Sequence, residues 1–198
     1  MSLEIKGISQ SGDQQIVKKL TAIVASGFEA KFTWRLFTEK EVKHVIAAFC
    51  EYLYTEKDEN LLIAESRGEV CGCLFLTGKD EAYKEFYSAL RVTLSISQSL
   101  KLILCLSLLS HQAQQAEKYI DFICVAPTFR GQGIAQALLS YCKNKYRQER
   151  LTLFVAQDNH AAYNLYRSLN FKIINKQTSL LMAVITGRKG WYLMEWAK

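Results

Sequence analysis

Apolar residues change their spacing several times along the 198-residue chain, and each change marks an element. Residues 3–8 read as a short first strand. Ile16, Val17, Leu20, Ile23 and Val24 recur at helical spacing within 12–28, and Val42, Val45, Ile46, Phe49 and Leu53 do so after Thr38. Thr38 and Glu41 head the second run as a capping box, with Thr38 at N-cap and Glu41 at N3. His44 falls off that stripe and reads as a solvated side chain. Residues 61–66 and 70–76 are apolar, β-rich runs, and Arg67-Gly68-Glu69 between them predicts a hairpin turn. Residues 117–125 and 151–156 read as the fourth and fifth strands. Ala162, Leu165, Tyr166 and Leu169 form the stripe of a short helix, followed at C′ by Asn170, a residue that tolerates the left-handed conformation. Final strands are predicted at 171–178 and 191–196, joined through Gly187-Arg188-Lys189-Gly190. The run 179–185 fits no element.

Two stretches stand apart. Residues 31–37 set Phe32, Trp34 and Phe37 among basic residues, either as a loop over a cleft or as aromatic plugs between two helices. Residues 80–116 are too long for a structureless connection. Arg91, Lys101 and the interspersed serines, threonines and glutamines break the continuous apolarity a membrane span needs, so no membrane is expected. Leu90, Leu94 and the apolar run 100–109 suggest one or two helices, while the alternation of Val92, Leu94 and Ile96 leaves a strand open.

Composition narrows the class. With 49% apolar residues, 10 Gly and 1 Pro, the chain suits one globular domain over 1–198. Cys50, Cys71, Cys73, Cys105, Cys124 and Cys142 lie mostly inside apolar runs, as reduced, buried thiols of a cytoplasmic protein would. Cys71-x-Cys73 puts two thiols on one face of a strand but lacks zinc spacing and a second ligand pair, so no metal is expected. The first residues lack a basic segment followed by an apolar core, so no signal peptide is expected. A net charge of +6 favours anionic ligands. Lys143, Lys145, Arg147 and Arg150 cluster after a helical stripe, where cations complement the helix dipole on a solvated face. No basic–aromatic RNA-binding pattern is present, and nucleic acid is not the expected partner.

The most informative stretch is 119–139. An apolar, aromatic strand is stopped by Pro127, the chain's single proline, and Arg130-Gly131-Gln132-Gly133 follows. Two glycines in four residues allow positive φ and a close backbone approach to a ligand. Ile134, Leu138, Leu139, Cys142 and Tyr146 then carry a helical stripe. Strand, glycine loop and helix start together form a ready anion site, apt for phosphate. The loop lacks the Gly-Lys-Ser/Thr of a P-loop and the spacing of a dinucleotide fold. It does match Arg/Gln-x-x-Gly-x-Gly/Ala, as Arg130, Gly133 and Ala135. In this it resembles the GNAT family, the GCN5-related N-acetyltransferases. Residues 153–171 are similar to the family's second hallmark: a strand, Asn159, small residues, Leu165-Tyr166, then Phe171.

The resemblance implies an α/β GNAT fold, a mixed, mostly antiparallel sheet flanked by helices, with a helical insertion at about 80–116 between the third and fourth strands. It implies acetyl transfer from acetyl-CoA to a primary amine of a small molecule or protein by direct attack. Ile123, Cys124 and Val125 would hold pantetheine and polarise the thioester carbonyl. The N–H groups of Arg130, Gly131, Gln132, Gly133, Ile134 and Ala135 would cradle the pyrophosphate. Asn159 would lie near the cofactor, or cap its helix, or both. Tyr166 would protonate the leaving thiolate, the alternative being a packing tyrosine. Phe154 stands where some ribosomal-protein acetyltransferases of the family carry a glutamate base. That leaves Asp121 as the best carboxylate, sharing a strand face with Ile123 and Val125; the alternative is an aspartate paired with a basic neighbour, with bulk water as base. Cys124 as an acyl carrier lacks a histidine in a recognisable partnering position. The insertion would cover the acceptor side of the cleft or form a homodimer contact, or simply pack on the sheet. A non-catalytic acyl-CoA binder or sensor is the alternative function.

Overall fold

The computed structural model describes residues 3–11, 15–28, 37–56, 58–79, 93–101, 111–178, 183 and 187–198. These form strands β1 (Leu3–Gly7), β2 (Leu61–Ser66), β3 (Glu69–Thr77), β4 (Glu117–Val125), β5 (Arg150–Ala156), β6 (Phe171–Thr178) and β7 (Gly190–Trp196). The helices are α1 (Ile16–Phe28), α2 (Glu39–Glu56), α3 (Ile134–Lys145) and α4 (His160–Ser168). The seven strands make one sheet in the order β1-β2-β3-β4-β5-β7-β6. Only β4 and β5 run parallel; the other neighbouring pairs are antiparallel.

Each face of the sheet has its own core. α1 and α2 cover Leu61, Ile63, Cys73, Phe75, Phe122 and Cys124. α3 and α4 cover Leu62, Leu74, Leu76, Ile120, Leu151, Leu153 and Val155. Ile134, Leu138, Leu139 and Cys142 are buried, the stripe read from the sequence. Burying each of the two leucines contributes about 1.5–3 kcal/mol, enough to hold α3 against the sheet.

Local signals set the ends. The Thr38 N–H donates to Glu41 Oε2 at 2.8 Å and the Glu41 N–H to Thr38 Oγ1 at 3.3 Å, closing the capping box. Arg67 (φ 54°) and Gly68 (φ 76°) alone turn β2 into β3, with the two positive φ values of a type I′ hairpin, so β3 starts at Glu69 rather than after it. Asn170 takes φ 63° after α4, as its position predicts. α3 ends at Lys145, and Arg150 opens β5 instead of extending a basic helix face: its guanidinium pairs with Glu195 at 2.5 Å. Lys143 is also not simply solvated, since its Nζ donates to the Leu169 carbonyl at 2.5 Å.

The two cysteines of Cys71-x-Cys73 lie on opposite faces, not on one. The β2–β3 register slips between Ala64 and Glu65, with Gly72 opposite Ala64 and Val70 opposite Glu65. Cys71 is the extra residue, and one bulge residue reverses the alternation. Cys71 joins the α3 core and Cys73 the α1–α2 core.

Residues 96–100 of the expected insertion are helical, as is Lys101, and the Lys101 Nζ pairs with Glu41 at 3.2 Å and lies over the buried Phe37 ring. Residues 111–116 of that stretch are not helical but lead as a loop and turn into β4, while 80–92 and 102–110 fall outside the described residues, as do 29–36 and most of 179–185. No described helix is long and apolar enough to cross a membrane.

Candidate active site

β4 and β5 pair from Glu117↔Arg150 to Ile120↔Leu153 and then stop, although β4 runs on to Val125 and β5 to Ala156. The cause is an extra residue. Phe75 faces Phe122 and Leu76 faces Ile120, so Asp121 bulges out of the β3–β4 ladder. A bulge bends and twists its strand. Beyond it β4 stays with β3, while Phe154, Val155 and Ala156 stay with β7. A wedge opens between them. Ile123–Val125 lie along it, beyond the last β4–β5 pair.

The wide end of the wedge meets the glycine loop. A 3-10 turn at Pro127–Phe129 leads to Gly131 at φ 75° and Gly133 at φ 80°, the N-cap of α3. A Cβ on either glycine would meet nothing within 4 Å, so the backbone conformation requires them and the space in front is open. The first intrahelical bond is Ala137 N–H to the Gly133 carbonyl at 2.9 Å, which leaves the preceding N–H groups of α3 without helical acceptors. No acidic residue sits in that first turn and no side chain caps it. Gly72 on β3 brings the helix start close: a Cβ there would lie 2.9 Å from Ile134 Cγ2. Arg130 donates its N–H, expected to face the cofactor, to the Pro127 carbonyl at 3.4 Å instead, its Nε to the Val125 carbonyl (3.2 Å) and its Nη2 to the Ser26 carbonyl (3.2 Å). It thereby staples the loop to the end of β4 and the last turn of α1.

Tyr166 of α4 is buried and packs against Phe171 with ring centroids 5.9 Å apart. Its phenol lies within electrostatic reach of Cys124 and of Tyr119, both on β4. Burial, with Cys124 adding to it, pushes that phenol up, so it stays protonated. Asn159 accepts from the Ala162 N–H at 3.2 Å, which establishes its helix cap.

Asp121 is not placed as strand alternation would place it. At the bulge its Oδ2 accepts from Thr77 Oγ1 at 2.7 Å, and Thr77 pairs with Tyr119. It thus faces the Tyr119 side of the sheet, not the side of Ile123 and Val125, which pack toward α3. Cys124 turns its thiol into the α1–α2 core, where a Cβ on Gly27 would meet its Sγ at 2.5 Å. Cys73 stands directly opposite it; their mutual contact and burial push the Cys73 thiol well up. Such thiols are inert, which argues against an acyl-cysteine.

One constellation on the Tyr119 side is not legible in the sequence. Glu117, with its side chain 2% exposed, accepts from Thr152 Oγ1 (2.5 Å), from the Gln114 N–H (2.8 Å) and from His111 Nε2 (2.8 Å). Burial alone would raise its carboxyl; the hydrogen bonds from Thr152, Gln114 and His111 outweigh it and hold the carboxyl below its usual value. His111 lies 4.9 Å from the Tyr119 ring and 5.9 Å from Phe154, centroid to centroid. Phe154 is the first β5 residue past the point where the strands part. The signal was slight: a glutamate opening an apolar strand, a residue type depleted in strands.

Among the described residues no cluster of three or more His, Cys, Asp or Glu could hold a metal ion.

This fold fits what comparison with known proteins finds. Residues 28–171 match the profile of the acetyltransferase (GNAT) family, and the chain belongs to that family. No curated protein sequence matches the chain. An N-acetyltransferase from Staphylococcus aureus Mu50 superposes with TM-score 0.69 at 18% identity, covering 97% of this chain and 99% of that one. The ribosomal-protein-S18-alanine N-acetyltransferase of Escherichia coli gives 0.56 at 14% identity, covering 98% and 93%. The PaiA N-acetyltransferase of Thermoplasma acidophilum, solved with coenzyme A, gives 0.57 at 12% identity, covering 100% of both chains. At these identities the likenesses speak for the fold.

Proposed function

We propose that this chain moves an acetyl group from acetyl-CoA to a primary amine by direct attack. The observation that carries the reading is the parting of β4 from β5 after Ile120 and Leu153, with the bare N-terminus of α3 at the wide end and the Tyr166 phenol near the wedge. A neighbour of the same fold, PaiA, was solved with coenzyme A bound.

Acetyl-CoA supplies a thioester whose carbonyl carbon takes the amine and whose thiolate leaves. The chain's residues do the rest. The N–H groups from Gly131 to Ala135 bind the pyrophosphate, helped by the positive end of α3. The stretch Ile123, Cys124 and Val125, beyond the last β4–β5 pair, holds the pantetheine as a further strand would, and an N–H aimed at the carbonyl oxygen stabilises the tetrahedral oxyanion. Tyr166 keeps a proton for the departing sulfur. Asn159 holds the start of α4, and so Tyr166, in place.

The test is steady-state release of free CoA across a panel of primary amines, with the acetylated amine identified by mass. Turnover on an amine supports the reading. Binding of acetyl-CoA without transfer to any amine would replace it with an acyl-CoA sensor.

A further inference from the structure

We propose that His111 is the proton acceptor for the attacking amine, held for that task by the buried carboxylate of Glu117. The inference rests on the acetyl-transfer reading above and assigns a residue that reading leaves open. Glu117 is committed to its two other donors, Thr152 and the Gln114 N–H, so its position is fixed before the imidazole arrives. A carboxylate only accepts, and therefore the nitrogen at 2.8 Å, Nε2, carries the hydrogen. The lone pair is then left on Nδ1. This is the arrangement in which a buried acid selects a tautomer, orients the ring and stabilises the imidazolium that forms.

The place is right as well as the chemistry. The imidazole is 18% exposed, lies tilted against the Tyr119 ring and touches Phe154 edge-on, at the narrow end of the wedge. Among the described residues, the ionisable groups around it come from two strands. From β4 come Glu117 and Tyr119, with Asp121 beside Tyr119; from β5, Arg150, which is paired with Glu195 of β7. Burial pushes the Tyr119 phenol well up, with Asp121 adding to it, so Tyr119 stays neutral beside the ring. Imidazole is the side chain that exchanges a proton in the neutral range. In the proposed step, the ammonium form of the acceptor gives one proton to Nδ1. The freed amine nitrogen forms its bond to the carbonyl carbon, the carbon–sulfur bond breaks, and the thiolate takes the Tyr166 proton. The second amine proton restores the phenol, and the proton on His111 passes to water.

The experiment compares wild type, His111→Gln and His111→Ala on one working amine, across pH, with acetyl-CoA affinity measured in parallel. The proposal expects a loss of ~10²–10⁴-fold in turnover at neutral pH with affinity unchanged. It also expects the loss to shrink as pH rises and the amine deprotonates unaided, and added imidazole to restore part of the rate of the alanine variant. Unchanged turnover, or a loss of the same size at every pH with no rescue, would overturn it and leave the transfer reading standing. A wild type that acetylates no amine would overturn both.

Discussion

Gly133→Asp, paired with Gly133→Ala, separates the cost of the loop's shape from its use. Gly133 sits at φ 80° with nothing within 4 Å of an added Cβ. Either substitution therefore carries the backbone penalty of a side chain in the left-handed region, about 1–2 kcal/mol, from which the aspartate recovers part as a negative charge at a helix N-terminus. For a chain of this length that lowers the melting temperature by roughly 2–8 °C in both variants, at 2–4 °C per kcal/mol. Ligand binding adds a second, independent quantity. Acetyl-CoA at a hundred times its dissociation constant stabilises the native state by about 2.7 kcal/mol, or roughly 5–11 °C. The aspartate puts a negative charge on the bare N-terminus of α3, where the pyrophosphate is proposed to sit, so this shift should vanish. The alanine variant, with the same backbone cost and no charge, should keep most of it. The assay is thermal melting of the three proteins with and without acetyl-CoA. Equal cofactor-induced shifts in wild type and the aspartate variant would refute the loop assignment. A collapse of the fold in both variants would refute the claim that the space before Gly133 is open.

Tyr166→Phe should keep the melting temperature and acetyl-CoA affinity while lowering turnover, by up to ~10²–10⁴-fold, because only the hydroxyl is removed from a packed ring; unchanged turnover would leave Tyr166 as packing alone. Glu117→Gln should destabilise by about 1–3 kcal/mol, since its one amide NH2 must face either the Gln114 N–H or the Thr152 and His111 donors that the carboxylate accepts from. The sign with pH follows from its lowered carboxyl: the stabilisation is full above the ordinary glutamate value of 4.5 and is lost as pH falls through the folded value, so denaturation curves from pH 6 to 3 should fall more steeply for wild type than for the glutamine variant. Cys50 and Cys142, pushed by burial up to about 12, should resist alkylation at pH 8 in the native protein and react on unfolding, with mass mapping of the labelled sites as the check.

Much of this architecture is legible in the chain because its signals are local and agree. Thr38 and Glu41, Asn170, and the Ile134–Cys142 stripe each specify their geometry within a few residues, and the structure repeats them. The same holds for Gly131 and Gly133, whose spacing announces positive φ before any fold is known. What escapes is produced by register. The bulge at Asp121 opens the wedge and turns that carboxylate to the Tyr119 face, and the bulge at Cys71 sends two neighbouring thiols to opposite cores. A bulge depends on which partner residue is skipped, and alternation along one strand cannot reveal it. The His111–Glu117–Thr152 contact is hidden for a different reason: it joins the lead-in to one strand with the middle of another through a parallel pairing, 35 residues apart at its longer bond. Arg130 shows a mixed case, since its place in the loop motif is plain while its bond to Ser26, 104 residues away, is not.

The central claim is that the parted strands and the bare helix start together hold acetyl-CoA. Hydrogen exchange of backbone amides reads this directly, because β4 pairs with β5 only as far as Ile120 and the first N–H groups of α3 have no intrahelical acceptor. Exchange should slow on adding acetyl-CoA at amides within Ile123–Val125 and from Gly131 to Ala135, and Gly133→Asp should abolish the effect. Protection confined to other parts of the sheet, with these amides exchanging as before, would contradict the account.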